Sequence, residues 1–206
     1  ICRRRRLQDD LRGGAAMTYQ MVEMVRCEDV IRTEFALSSA LALTPGNTQH
    51  NRAFLVGMNK TDSYNFFIHY MKLGIENGME MDALLFCDLD VMLYSKDGLY
   101  PLVTAFWEHP EIDILTPTWG EPHPDIVQIP GGNTGYLLMR ISALKKLTGP
   151  LYPIPAEIEV EKVFTDNDAD FHVLCRDAGL RWLEHGGVSC NYFHEAFKSA
   201  GAEVPT

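Results

Sequence analysis

The chain has 206 residues, 46% of them hydrophobic, which suits one globular unit with a sizeable core. Its 10% aromatic content and 16 glycines exclude collagen-like, coiled-coil and disordered chains. A formal charge of −10 at pH 7 argues against sequence-independent nucleic-acid binding, which needs a basic surface, but an anionic substrate stays open because a bound cation reverses the local sign.

The five cysteines (Cys2, Cys27, Cys87, Cys175, Cys190) are scattered and form no CxxC pair. That spacing fits neither a disulfide framework nor a structural zinc site, and it points to buried thiols in a reducing compartment. No apolar run reaches the length of a membrane span, and no secretory signal is expected. The expected location is therefore cytoplasmic. The run Arg3–Arg6 opens a basic tail over 1–16. It reads first as solvated, with peripheral membrane contact as the alternative.

In chain order, 17–25 has strand character and 27–43 has apolar residues at helical spacing behind an acidic first turn. Turn residues make 45–51 a loop. A buried strand is expected at 53–58, a helix at 63–79 stopped near Gly78, and a second buried strand at 83–87. A helix starting near Pro101 and a strand at 112–117 follow. This alternation implies an α/β fold, a mostly parallel central sheet with helices on both faces. Beyond it, 119–135 is a Gly/Pro-rich loop, 136–140 a strand and 141–147 a short helix. The stretch 151–164 reads as a loop or lid, 168–179 as a helix closed by Gly179, and 180–197 as two short strands ending at His194.

The chemistry concentrates where "LLFCDLDVML" runs from an apolar strand into Asp88 and Asp90. Ligands in such sheets bind beyond the carboxyl ends of the strands, where this pair sits. Two carboxylates ~4–5 Å apart repel by roughly 3–4 kcal/mol at an effective dielectric near 20. A divalent cation removes that repulsion and leaves positions for phosphate oxygens. Two further D-x-D pairs, Asp166/Asp168 and Asp168/Asp170, open the helix at 168, where N-capping is the plainer explanation.

Four blocks together resemble the inverting, family-2-type glycosyltransferases of the GT-A fold. They are "FLVGMNKTDS" (54–63), "LGIENGMEMDALLFCDLDVML" (73–93), "GGNTGYLLMRISALKKLTGP" (131–150), and "DNDADFHVLCRDAGLRW" (166–182) followed by "VSCNYFHEAF" (188–197). The resemblance spans about residues 18–197. It implies a Rossmann-like nucleotide-diphospho-sugar transferase domain over 17–206, with a nucleotide-binding half (17–117) and an acceptor-side half (118–206).

It also implies roles. Asp88, Asp90 and His194 would hold Mn²⁺ or Mg²⁺ on a nucleotide-diphospho-sugar donor, with Asp90 the expected direct ligand of the pair and UDP the expected nucleotide. Asp168 would be the general base towards a glycan, lipid or small-molecule hydroxyl acceptor, with Asp166 or Asp170 as alternatives. Asn59, Thr61 and Asp62 would lie near base and ribose, and Gly131, Gly132 and Asn133 near the donor sugar. Leu89 and Lys72 complete the donor-side set. Met58, Lys72 and Asn167 depart from the residues usual at their positions. The rival reading is a haloacid-dehalogenase-type phosphatase with Asp88 as nucleophile, although that family's D-x-D usually sits on its first strand. A non-catalytic relative binding nucleotide sugar or metal is a third.

Overall fold

The computed structural model describes residues 18–27, 45–56, 58–88, 91–94, 99–147, 151–154 and 158–192. Leu89, Asp90 and His194 lie outside the described residues. So do the basic tail and all of the expected 27–43 helix except Cys27, which ends a strand.

An eight-stranded sheet organises the rest, in the order β2-β1-β3-β7-β5-β10-β4 with β6 beside β10. Its strands are β1 (Tyr19–Cys27), β2 (Thr48–Val56), β3 (Ala83–Cys87), β4 (Val91–Tyr94), β5 (Ile114–Thr118), β6 (Ile126–Gln128), β7 (Tyr136–Arg140) and β10 (Trp182–Tyr192). The helices are α1 (Lys60–Glu76), α2 (Tyr100–Glu108), α3 (Ile141–Leu144) and α4 (Asp168–Asp177). Strands β8 (Leu151–Ile154) and β9 (Ile158–Glu161) form a separate antiparallel ladder.

The sheet is mixed. Strands β1, β2, β3, β5 and β10 run one way, and β4, β6 and β7 run against them. Strand β7 is antiparallel to both β3 and β5. A parallel return needs a crossover, usually helical, whereas the 119–135 connection contains only the short β6.

Side chains alternate across the sheet. Leu84, Phe86, Leu137 and Met139 join one core with Tyr64, Phe67, Phe164 and Phe171. Ala83, Leu85, Cys87 and Leu138 join the other with Leu102, Val103 and Phe106 of α2. Asp88, next in the alternation after Cys87, belongs to the α1 and α4 side.

Several boundaries differ from expectation. Strand β2 begins at Thr48 rather than after residue 51, because Thr48–Asn51 pair with Tyr19–Val22 along the sheet edge. There Gln49 and Asn51 keep contact with water. Helix α1 begins at Lys60, three residues early, behind an Asn59 cap. The expected lid contains the β8–β9 ladder. The two strands expected over 180–197 are one, β10, with a register irregularity between His185 and Ser189. Within that interruption only glycine fits at 186, where a Cβ would stand 2.1 Å from His123 Nδ1.

Burial pushes the Cys175 thiol up to about 12, with a smaller push from Asp113, and it also raises Cys190. A raised thiol pKa contributes stability that is present below the unfolded thiol's value and lost as pH climbs through the folded one. At pH 8 both therefore stay protonated. Iodoacetamide is expected to label Cys175 and Cys190 only after denaturation, as read by peptide mass spectrometry.

Candidate active site

The β1, β2, β3, β5 and β10 carboxyl ends share one edge of the sheet, and the start of antiparallel β7 lies there too. Asp88 follows β3, Lys60 opens the helix after β2, and Asn133–Gly135 lead into β7. Asp88 N donates to the Gly135 carbonyl at 2.7 Å, which joins the β3 end to that loop.

Asp168 reaches this edge because a buried amide fixes the chain ahead of it. Asn65 Oδ1 accepts from the Val163 and Phe164 amides at 2.7 and 2.8 Å. Its Nδ2 donates to the Phe164 and Thr61 carbonyls at 2.7 and 2.8 Å. Phe164 also packs against Tyr64, Phe86 and Phe171. Helix α4 starts four residues later, capped by Asn167. Asn65→Leu strands buried backbone groups, so a loss of about 3 kcal/mol in urea unfolding is expected, on the scale of one to three unpaired polar groups.

The acidic groups then converge. Lys60 Nζ stands 3.7 Å from Asp88 Oδ2 and 3.9 Å from Asp168 Oδ1. Thr134 Oγ1 donates to Asp168 Oδ1 at 2.7 Å. The Tyr64 hydroxyl donates to the Thr134 carbonyl at 3.1 Å, while the Tyr64 ring lies 5.8 Å from Lys60 Nζ. Asp88 has 8% of its side chain exposed and Asp168 38%, so one carboxylate is sheltered and the other open to a solute.

The neighbouring acids are engaged differently. Asp166 Oδ1 accepts from Thr61 Oγ1 at 2.6 Å, which ties the α4 approach to the α1 start. Asp170 accepts from Thr165 Oγ1 at 2.8 Å, within its own helix-opening turn. Asp168 is the member of this acidic cluster that shares a cation with Asp88.

Of the donor-side residues, Asn59 caps α1 by accepting from Asp62 N at 2.8 Å, and its Nδ2 donates to Asp62 Oδ2 at 2.8 Å. With Thr61 they flank Lys60. Asn133 Oδ1 accepts from Gly135 N at 2.7 Å, and its Nδ2 donates to the Tyr192 hydroxyl at 3.0 Å. At Gly131 the close approach made possible by the missing Cβ is to His172, whose ring would lie 2.4 Å from that Cβ. His172 Nε2 also lies 2.6 Å from the Gly132 carbonyl. Lys72 is not brought to this group. It lies about 18 Å along α1 from Lys60, at 1.5 Å per residue, and pairs with Glu161 and the Leu147 carbonyl.

Among the described residues, no three His, Cys, Asp or Glu side chains form a metal-binding group. Asp88 alone of the three expected ligands is described, and its sheltered carboxylate offers the hard oxygen that Mg²⁺ and Mn²⁺ take.

Lys60, Thr134 and Tyr192 were not among the residues picked from sequence. One signal pointed to Lys60: a cation at a helix start opposes the macrodipole, so such a position invites a second reason. Thr134 and Tyr192 carry no comparable mark.

No protein-family model matches the sequence, nor does any curated protein. Among solved structures, the chain is similar to a mutant of Drosophila β-1,4-galactosyltransferase 7 in complex with manganese, UDP-Gal and xylobiose. The TM-score is 0.53 at 17% identity, over 92% of this chain and 76% of that one. It is similar also to the protein A197 of STIV, with a TM-score of 0.52 at 14% identity over 85% and 86% of the two chains. The chain has a GT-A-type glycosyltransferase fold.

Proposed function

We propose that the chain is a metal-dependent glycosyltransferase. It moves a sugar from a nucleoside-diphosphate donor, with UDP the expected nucleotide, to a hydroxyl acceptor with inversion at the anomeric carbon. The observation that carries this reading is the convergence of Asp88 and Asp168 on one ammonium at the carboxyl edge of the sheet. A structure of similar fold that contains manganese, UDP-Gal and xylobiose supports it.

In this reading Asp168 is the base. Thr134 and Lys60 both engage Oδ1, so Oδ2 is the oxygen assigned to the acceptor proton. It takes that proton as the acceptor oxygen attacks the anomeric carbon from the face opposite the departing diphosphate. Asn59, Thr61 and Asp62 line the nucleoside end, and Asn133 with the Gly131–Gly132 backbone lines the sugar end. Asp88, Asp90 and His194 would hold Mn²⁺ or Mg²⁺, which when bound supplies positive charge against which the diphosphate leaves. The acceptor side falls to the later half of the chain. There Trp119 and Tyr192, with ring centroids 5.0 Å apart, offer an aromatic surface to a glycan, lipid-linked or small-molecule acceptor.

The phosphatase alternative is disfavoured by topology, since β1 and β2 precede the strand that bears Asp88. Thermal denaturation with UDP-, GDP-, dTDP- and CMP-sugars, with and without Mn²⁺, tests the proposal. One donor is expected to stabilise the chain only with metal, by about 2.7 kcal/mol at a hundredfold excess over Kd. Indifference to every nucleotide sugar would overturn it. Binding without any transfer would favour the non-catalytic relative.

A further inference from the structure

Lys60 holds the one ammonium described between Asp88 and Asp168, and neither distance is that of a hydrogen bond. At 3.7 and 3.9 Å it exceeds the usual N–H···O range to both carboxylates. Its side chain is 29% exposed, on a flexible four-carbon stem anchored at the first residue of α1. One positive charge faces two negative ones in this trio, and a dication would be drawn to the same carboxylates. A dication arriving at Asp88 repels the ammonium, and a diphosphate arriving with it offers new anionic oxygens within the same few ångströms.

We propose that Lys60 is a transferable counter-ion: it pairs Asp88 with Asp168 in the unloaded site and moves to a phosphate oxygen of the donor when donor and metal enter. The inference rests on reading this edge as a nucleotide-diphosphate site, and it deepens that reading by assigning a phosphate-binding residue. Two consequences of opposite sign follow. Before the donor binds, the ammonium competes with metal for Asp88 and weakens metal binding. Once the donor is present, it strengthens diphosphate binding. A residue that merely held the fold together would shift both affinities in the same direction or neither. Moving off Asp168 Oδ1 would also leave Thr134 as that oxygen's neutral partner during transfer.

The test is calorimetric titration of the full chain, wild type and Lys60→Met, first with Mn²⁺ alone and then with UDP in saturating Mn²⁺. Lys60→Met is expected to bind Mn²⁺ about threefold to tenfold more tightly and UDP about tenfold more weakly, the scale of one charge-assisted hydrogen bond. Lys60→Arg is expected to restore most UDP affinity. Lys60→Gln is titrated in parallel, so that the outcome does not depend on one variant's folding. Unchanged UDP affinity in both neutral variants, or Mn²⁺ affinity that falls along with it, would overturn the inference. Wild type binding neither Mn²⁺ nor UDP would remove the donor-site reading itself, a result separate from a wild type that binds both and variants that shift neither.

Discussion

Asp168→Asn is expected to retain donor and metal binding while sugar transfer falls by about two to four orders of magnitude, the usual contribution of a positioned general base. The substitution preserves shape, and the amide oxygen still accepts from Thr134 Oγ1, which donates to Oδ1 at 2.7 Å in the native chain. What disappears is the basic oxygen and one negative charge beside Lys60. The loss should therefore fall on kcat, with donor KM little changed. Asp166→Asn and Asp170→Asn serve as controls, because their carboxylates accept from Thr61 and Thr165 within the scaffold. They are expected to lower stability more than turnover. If Asp168→Asn transfers sugar at the native rate while one of the controls does not, the base is the other acid.

Asp88→Ala is expected to abolish the Mn²⁺-dependent part of donor stabilisation. At a donor concentration that gives about 2.7 kcal/mol in the native chain, the variant should show a melting curve indifferent to metal. The carboxylate is 8% exposed and stands 3.7 Å from Lys60. Its removal leaves the Lys60 ammonium beside Asp168, 3.9 Å from Oδ1. The Asp88 backbone amide keeps its bond to Gly135 in the variant, which holds the β3 end in register with the loop before β7. Full metal-dependent stabilisation in Asp88→Ala would show that Asp88 is not a ligand. Phosphate trapped on Asp88 of the native chain would instead revive the phosphatase.

The strands were legible where burial is complete. Ala83–Cys87 is buried throughout, and its apolar run matches the expected strand residue for residue. Polar strands were harder. Thr48–Asn51 owes its strand form to backbone pairing with β1, which leaves no trace in side-chain pattern. The antiparallel course of β7 was not legible, because alternation of strand and helix stops at β5 and nothing local to Tyr136–Arg140 states its polarity.

The site was legible in its chemistry but not in its connections. Asp88 drew attention because a carboxylate at a strand end needs a reason. By pattern alone Asp168 was one acid among three at a helix start, and the resemblance singled it out as the base. In the structure its contacts with Lys60 and Thr134 separate it from Asp166 and Asp170. Lys72 was read as donor-contacting, yet helix geometry puts it at the far end of α1 from Lys60, paired to Glu161. Asn65 shows the general difficulty. Its hydrogen bonds to Val163 and Phe164 fix the approach to α4, and nothing in the run "DSYNFF" distinguishes it from a solvated asparagine.

A crystal structure with UDP and Mn²⁺, with the metal located by its anomalous scattering, bears most directly on the claim that these acids face one reaction centre. The expected result is a manganese peak at about 2.0–2.2 Å from a carboxylate oxygen of the Asp88–Asp90 pair, as for carboxylate coordination of small divalent ions, with the UDP diphosphate on it and Asp168 facing the open side. Manganese and UDP bound elsewhere, with Asp88 still paired to Lys60, would contradict the account.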